Sequence, residues 1–389
     1  MIPRRGLLAL AALAPWGAPA QGTIARRALV FPRDHGAHPE TRTEWWYATG
    51  WLQDARAAGE TPTFGFQLTF FRSRTGLAEG LASRFAARQL LFAHAALSDL
   101  SDRRLLHAER IARWSGDAGA ARAAASLADT RVHIGAWRLE READGYRAAL
   151  GDDAAGFAYR LALAPTQPVL LQGDAGFSRK GPDANWSPPG RPPGPERPAG
   201  AANQASLGPP SHASHYYSQP QLAVSGELKH GAARARAVRG LAWLDHEWSD
   251  SLMPDGAVGW DWIGINLADG SALTAFRLRR ADGGAVWAGG SHRPRGGSVQ
   301  DFGADEVRFE PLAHWTSAAT GARYPVRWRV QTPAGSFEVQ ALLDAQELDS
   351  RTSTGAVYWE GLAELRGVGG VRLGLGYLEM TGYVSPLRL

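Results

Sequence analysis

The chain of 389 residues contains no cysteine, so disulfide staples, thiolate metal ligands and a cysteine nucleophile are excluded together. Lysine is nearly missing as well, occurring only at Lys180 and Lys229, and the other basic residues are arginines interspersed with acids. No basic stripe results, so the footprint of a nucleic-acid binder is absent despite a formal charge of +4. No apolar run reaches the ~20 residues that span a bilayer, which leaves only contact with a membrane surface open. There is no Gly-x-Ser-x-Gly elbow and no α/β alternation, so a serine hydrolase of that kind has no basis. His246-Glu247 lacks the second histidine four residues on, which removes the paired-histidine metalloprotease pattern.

Glycine (46), proline (24) and tryptophan (15) are plentiful, and apolar residues make up 44% of the chain. That composition describes a folded protein of many short strands and turns, with length for about two domains. Residues 1–20 read as a signal peptide: Arg4-Arg5, an apolar run from Gly6 to Leu13, then Ala18-Pro19-Ala20 as a cleavage site. Export to the periplasm or beyond is expected, with a twin-arginine route open, and a cysteine-free chain is compatible with it.

EWWYATGWL (44–52) carries large side chains on both faces of a strand, as a doubly buried strand does. GFQLTFFRSRT (65–75) and FAHAALSDL (92–100) continue as strands, while the alanine-rich middle of 105–134 suggests a helix or lid. Turn pairs such as Asp144-Gly145 and Gly151-Asp152 separate further short strands, the rhythm of an antiparallel barrel. Residues 173–212 are Pro/Gly-rich and form a loop insertion. After residue 238 the pattern restarts, so a first barrel is expected over 34–238 and a second over 239–389.

The densest chemistry lies in GLAWLDHEWSD (240–250) and GWDWIGINL (259–267). Alternation sends Trp243, Asp245 and Glu247 to one face and Leu244, His246 and Trp248 to the other. Carboxylates among aromatic rings are where burial raises a pKa. Asp261 alternates with Ile263 and Ile265, which makes it either a second acid or a buried, paired one. His212 and His215 could join His246 as metal ligands, but histidines in such a pattern more often serve packing; no metal and no cofactor are expected.

EWWYATG (44–50), GFQLTFF (65–71), HYYSQP (215–220), WLDHEWS (243–249), GWDW (259–262), YWEGLAEL (358–365) and GYLEMTGY (376–383) together resemble the lipocalin-like carotenoid 1,2-hydratase (hydroxyneurosporene synthase, AttH-like) family. The exported, cysteine-free form with its insertion is similar to that family's secreted branch. The resemblance implies an all-β fold of two consecutive lipocalin-like (calycin) antiparallel barrels. It also implies an apolar pocket for an isoprenoid or polyene such as a carotenoid. Hydration of such an alkene needs an acid, a wall that stabilises a cation, and a held water. Asp245 is the expected proton donor, Glu247 the group that holds water or raises Asp245, and Asp261 a reserve acid. Trp243, Trp260 and Tyr217 are expected as cation-stabilising walls, with Tyr216, His215, Trp46 and Trp248 completing the ligand-binding set. Glu44, Trp45, Tyr47, Tyr358, Trp359, Glu360, Tyr377 and Glu379 read as barrel structure. A non-catalytic periplasmic carrier of an apolar ligand is the alternative.

Overall fold

Period-two alternation of apolar side chains runs through nearly every segment, and the chain folds accordingly. The computed structural model describes residues 24–387 apart from positions 78, 82, 84, 117–121, 144, 183–211 and 252. The expected signal peptide and most of the Pro/Gly-rich insertion lie outside the described residues. Those described form strands, two 3-10 turns (Arg33–His35 and Val368–Gly370) and no α-helix, hence no helix long and apolar enough to cross a membrane.

The first sheet contains β1 (Thr43–Asp54), β2 (Phe64–Arg74), β3 (Gln89–Asp99), β4 (Arg104–Trp114), β5 (Ala123–Ala125), β6 (Arg131–Ile134) and β7 (Trp137–Glu142). It continues with β8 (Gly145–Asp152), β9 (Phe157–Pro165), β10 (Leu170–Leu171), β11 (Phe177–Arg179), β12 (Ala213–His230) and β13 (Arg236–Ser251). Its order is β4-β3-β2-β1-β13-β12-β9-β8-β7-β6-β5, and the sheet curls until β4 meets β5 and β6. The second sheet contains β14 (Gly259–Leu267), β15 (Ala272–Arg279), β16 (Ala285–Arg293), β17 (Gln300–Phe302) and β18 (Arg308–Thr316). It ends with β19 (Arg323–Thr332), β20 (Gly335–Ala341), β21 (Glu347–Ser350), β22 (Ala356–Arg366) and β23 (Arg372–Met380), in the order β17-β16-β15-β14-β23-β22-β20-β19-β18. The strands pair antiparallel, and the result is two consecutive lipocalin-like barrels.

Two expectations are corrected. The alanine-rich stretch is no helix: β4, β5 and β6 cover its described parts, because Ala123–Ala125 pair with Val132–Ile134 in the sheet. Residues 240–250 do not open the second barrel. They belong to β13, which pairs with β1 on one side and β12 on the other and so closes the first. The sheets therefore change between Ser251 and Gly259, not at 238.

Three apolar clusters follow from this layout. One fills the first barrel around Trp46, Phe70, Leu244 and Trp248, and another fills the second around Ile263, Trp328 and Trp359. The third lies between the barrels, joining Tyr47, Trp51 and Trp243 to Trp262, Phe276, Leu362 and Tyr377. Two glycines permit the close approach. A Cβ on Gly264 would stand 2.4 Å from the Trp262 ring, and one on Gly65 would stand 2.7 Å from the Tyr377 hydroxyl.

Candidate active site

β1, β13, β14, β22 and β23 contribute to the walls of a cavity of about 260 Å³ between the barrels. Its walls are aromatic, with Trp45, Tyr47, Tyr216, Trp260, Trp262 and Phe276 among them. Five acids also line it: Glu44, which Arg72 on the same wall holds at 2.7 Å, and Asp245, Glu247, Glu360 and Glu379. One lysine, Lys180, faces them.

Alternation along β13 acts as expected, turning Trp243, Asp245 and Glu247 towards this junction and Leu244, His246 and Trp248 into the first barrel. Asp245 is buried, and its carboxyl is caged by donors. Trp243 Nε1 (2.7 Å) and Ser218 Oγ (2.5 Å) donate to Oδ1, and the Tyr216 hydroxyl (2.8 Å) donates to Oδ2. The cage is itself pinned. Gln172 Nε2 donates to Ser218 and Trp262 Nε1 to Tyr216, which leaves each hydroxyl's proton free to point at Asp245. Burial pushes Asp245 up to about 7, with the charge of Glu247 helping and the three donors opposing. Glu247 is already engaged, by Lys180 Nζ at 2.8 Å and Ser214 Oγ at 2.5 Å. Lys180 in turn sits 4.3 Å above the Phe276 ring.

The other two acids come from the second barrel, where register places Glu360 of β22 directly opposite Glu379 of β23. Burial pushes Glu360 well above the usual carboxylate range, and the like charge of Glu379 adds to it. Burial, with Asp245 and Glu247 nearby, pushes Glu379 up to about 8. Tyr47 adjoins Glu360 as its hydrogen-bonding neighbour, which works against the rise of the Glu360 carboxyl. Reading Trp45, Tyr47, Tyr358, Glu360 and Glu379 as barrel structure therefore missed part of the cavity. The signal was present as two glutamates, each embedded among apolar residues on one of the last two strands.

Several expected residues are elsewhere. Asp261 points into the second barrel, where Arg277 Nε (2.7 Å) and the Tyr383 hydroxyl (2.8 Å) hold it, so it is a paired acid and not a catalytic one. Trp243 serves the cavity through its indole N–H instead of as a wall. Tyr217, Trp46, Trp248 and His215 lie away from the cavity, because strand alternation turns all four the other way. Of the expected ligand set, Trp260 and Tyr216 line the cavity.

The residues turned inward form a second polar cluster. His38 Nδ1 lies 2.8 Å from Glu44 Oε1, and His38 Nε2 lies 3.1 Å from Asp34 Oδ1. Carboxylates only accept, so both ring nitrogens carry protons and His38 is an imidazolium. His246 Nε2 reaches the same Glu44 oxygen at 2.9 Å, and Arg72 Nε bonds Glu44 Oε2 at 2.7 Å. Burial opposes ionisation of Glu44, but Arg72 and His38 hold it well below the usual range. Burial lowers His246 to about 4 despite Glu44, so it is neutral. Its rings pack tightly: His246 stacks on Trp46 and His38 on Trp248. His38, Glu44 and His246 offer ligand atoms within 4.8 Å of one another, a donor set of the kind zinc accepts. Those atoms are already joined by hydrogen bonds. The expected trio of His212, His215 and His246 does not converge, since His212 bonds Ser251 and His215 bonds the Ala25 carbonyl.

The sequence profile of the AttH-like family matches residues 23–187 and 192–383. An AttH-type protein from Nitrosomonas europaea of known structure is 42% identical, with a TM-score of 0.77 over 93% of this chain and 99% of its own. The chain belongs to the AttH-like family. The AttH-like fold extends to kievitone hydratase from Nectria haematococca, at 12% identity and a TM-score of 0.63 over 92% of this chain and 94% of that one. CghA is similar at 14% identity and a TM-score of 0.50, covering 94% and 95%. Among proteins with curated functions, none matches this AttH-like sequence.

Proposed function

We propose that the cavity is an acid–base site that adds water to a carbon–carbon double bond of an apolar isoprenoid or polyene, or removes it. The observation that carries this reading is an aromatic-walled cavity lined by five carboxyls and two cations, with Arg72 spent on Glu44 and Lys180 on Glu247, so that Asp245, Glu360 and Glu379 have no ion-pair partner of their own among the described residues. Such an arrangement keeps protons on carboxyls near neutral pH, which a passive container does not need. The fold shared with a protein named kievitone hydratase is consistent with this chemistry.

The roles differ from the sequence expectation. Glu379, paired with Glu360, carries the transferable proton and delivers it to the alkene carbon. The cation that forms on the neighbouring carbon lies against Trp260, Trp262 and Tyr47, each ring contributing ~0.5–2 kcal/mol. Water adds to that carbon, its proton passes to the carboxylate form of Asp245 on the same wall, and Glu379, which lies close enough to Asp245 to feel its charge, is reprotonated from there to close the cycle. Lys180 and Glu247 form an ion pair on the same wall, which leaves Asp245, Glu360 and Glu379 to handle protons. A volume of about 260 Å³ falls below the ~300–1,000 Å³ of typical small-molecule sites. A forty-carbon carotenoid would insert only its end, and a shorter isoprenoid fits better. Export by residues 1–20 would place the reaction in the periplasm.

The test is turnover of acyclic isoprenoids in isotopically labelled water, read by mass spectrometry. Label in the product is expected from the wild type. Glu379→Gln and Asp245→Asn should each lose about 10²–10⁴-fold in rate while still binding the alkene. A wild type that binds such alkenes and never incorporates label would establish the carrier reading instead.

A further inference from the structure

The reaction outlined above leaves a buried histidine on the cavity wall without a part. His94 of β3 lines the cavity and is buried among residues of both barrels. Its Nδ1 meets the hydroxyl of Tyr358, on β22, at 2.8 Å. Its Nε2 meets Ser353 Oγ, in the turn before β22, at 2.9 Å. Ser353 bonds Glu109 Oε2 of β4 in turn. Glu109 is the outer end of this row, with a side chain that keeps 16% exposure, while Tyr358 at the inner end is buried and lines the cavity. Four hydrogen-bonded side chains thus run unbroken from solvent to the cavity wall. They do not make a serine nucleophile, because the acid bonds the serine and not the histidine.

The direction of the bonds follows from the outer end. A carboxylate only accepts, so Ser353 gives its proton to Glu109, and the Ser353 oxygen accepts from His94 Nε2. Burial, with His107 nearby, lowers His94 to about 3, so the ring is neutral and its one proton sits on Nε2. Nδ1 is therefore bare and takes the proton of Tyr358. Every donor in the row points outward. Glu360, two residues along β22, shares the face of Tyr358, and both Glu360 and Glu379 lie near enough to act on its hydroxyl. We infer that Tyr358, His94, Ser353 and Glu109 form a proton route between the buried acids Glu360 and Glu379 and solvent. In one passage Glu379 gives a proton to a water in the cavity, and that water gives one to the Tyr358 oxygen. The Tyr358 proton moves to His94 Nδ1, the Nε2 proton to Ser353 Oγ, and the Ser353 proton to Glu109 Oε2. Glu379 has lost one proton, Glu109 has gained one, and nothing between them has changed its charge. Burial makes a tyrosinate and an imidazolium costly here, so the shifts occur together. The reverse passage reloads the acids while a ligand fills the cavity. The route rests on the reading above for its use, but it is a statement about proton exchange.

The test follows hydrogen–deuterium exchange of the protonated Glu379 carboxyl by rapid-mixing infrared spectroscopy, its C=O band assigned by loss in Glu379→Gln. Mixing is into heavy water at about pH 6, where burial keeps the proton on Glu379. Ser353→Val removes the hydroxyl and fills its place against a substitute water, and Glu109→Gln keeps an acceptor for Ser353 that cannot take up a proton. Each should slow exchange by about tenfold or more, and Ser353→Thr, which restores the hydroxyl, should return it to within about threefold of the wild type. Loss of a merely structural link between the barrels loosens the fold and quickens exchange, so slowing is the signature of a lost route. Exchange in Ser353→Val and Glu109→Gln as fast as in the wild type, or faster, would overturn the inference. So would a Ser353→Thr protein as slow as Ser353→Val. No turnover enters these measurements. Slowed exchange in a protein that never hydrates an alkene defeats only the hydratase reading, and hydration with unchanged exchange defeats only this one.

Discussion

The two faces of β13 hold buried acids in opposite circumstances. Towards the interior of the first barrel, with Glu44 and Arg72 also reaching the edge of the cavity, Asp34 and Glu44 share His38, Arg72 and Arg27, and all their charges are matched. Towards the junction, Asp245, Glu247, Glu360 and Glu379 have Lys180. Burial works the same way on both faces, raising every one of these acids whose shift is resolved. Only the supply of cations differs, and it reverses the outcome: Asp34 and Glu44 end well below the carboxylate range, while Asp245 and Glu379 end near 7 and 8. Compensated acids hold structure together. Uncompensated ones store protons.

The largest expected effect comes from removing the compensation. Arg72→Met strands Glu44 as a buried charge and should cost about 3–5 kcal/mol in denaturant unfolding, whereas Glu360→Gln, which removes an uncompensated acid, should cost nothing or stabilise. Similar losses in both variants would erase the distinction between the faces. Next is pH. Asp34 and Glu44 bind fewer protons folded than unfolded, so their contribution is full at neutral pH and is lost as pH falls below about 4. Asp245 and Glu379 bind more protons folded than unfolded between about 4 and 8, so the native state loses ground as pH rises through that window. Glu379→Gln should therefore gain stability relative to the wild type from pH 4.5 to about 8, and a difference flat with pH would contradict the raised carboxyl.

How far these faces could be read from the sequence depended on what each required. Alternation along 243–248 was sufficient to separate Asp245 and Glu247 from His246, because a strand leaves no choice of side. The same rule separates Asp261 from Trp260 and Trp262, yet not which barrel's interior Asp261 enters. That required knowing its partner, Arg277, sixteen residues on in the next strand. Glu360 and Glu379 were legible as acids in apolar strands but not as neighbours, since their pairing is set by the register of β22 against β23. β13 was misplaced for a related reason. Its motif marks a restart in pattern, while its hydrogen bonds go back to β1, at the other end of the first barrel.

Two smaller effects sharpen the comparison. Trp260→Ala removes one cation-facing wall and should lower turnover by about 2- to 30-fold, the equivalent of ~0.5–2 kcal/mol, with unfolding almost unchanged. Tyr217→Phe, on the other face, removes the hydroxyl 2.7 Å from His35 Nδ1 and 3.2 Å from His246 Nδ1. It should cost about 1 kcal/mol of stability and leave turnover as it was. A change in rate for Tyr217→Phe would join the faces functionally.

The pairing of β1 with β13 joins positions as far apart as Thr43 and Ser249, 206 residues in sequence. During synthesis the first barrel stays open until the ribosome has passed Ser251, leaving β1 and β12 each with a bare hydrogen-bonding edge. Such edges recruit other strands, and contacts this distant form slowly. A nascent chain of this protein thus keeps both edges uncovered until β13 has been made, and the strand that covers them is the one that brings Asp245 to its place.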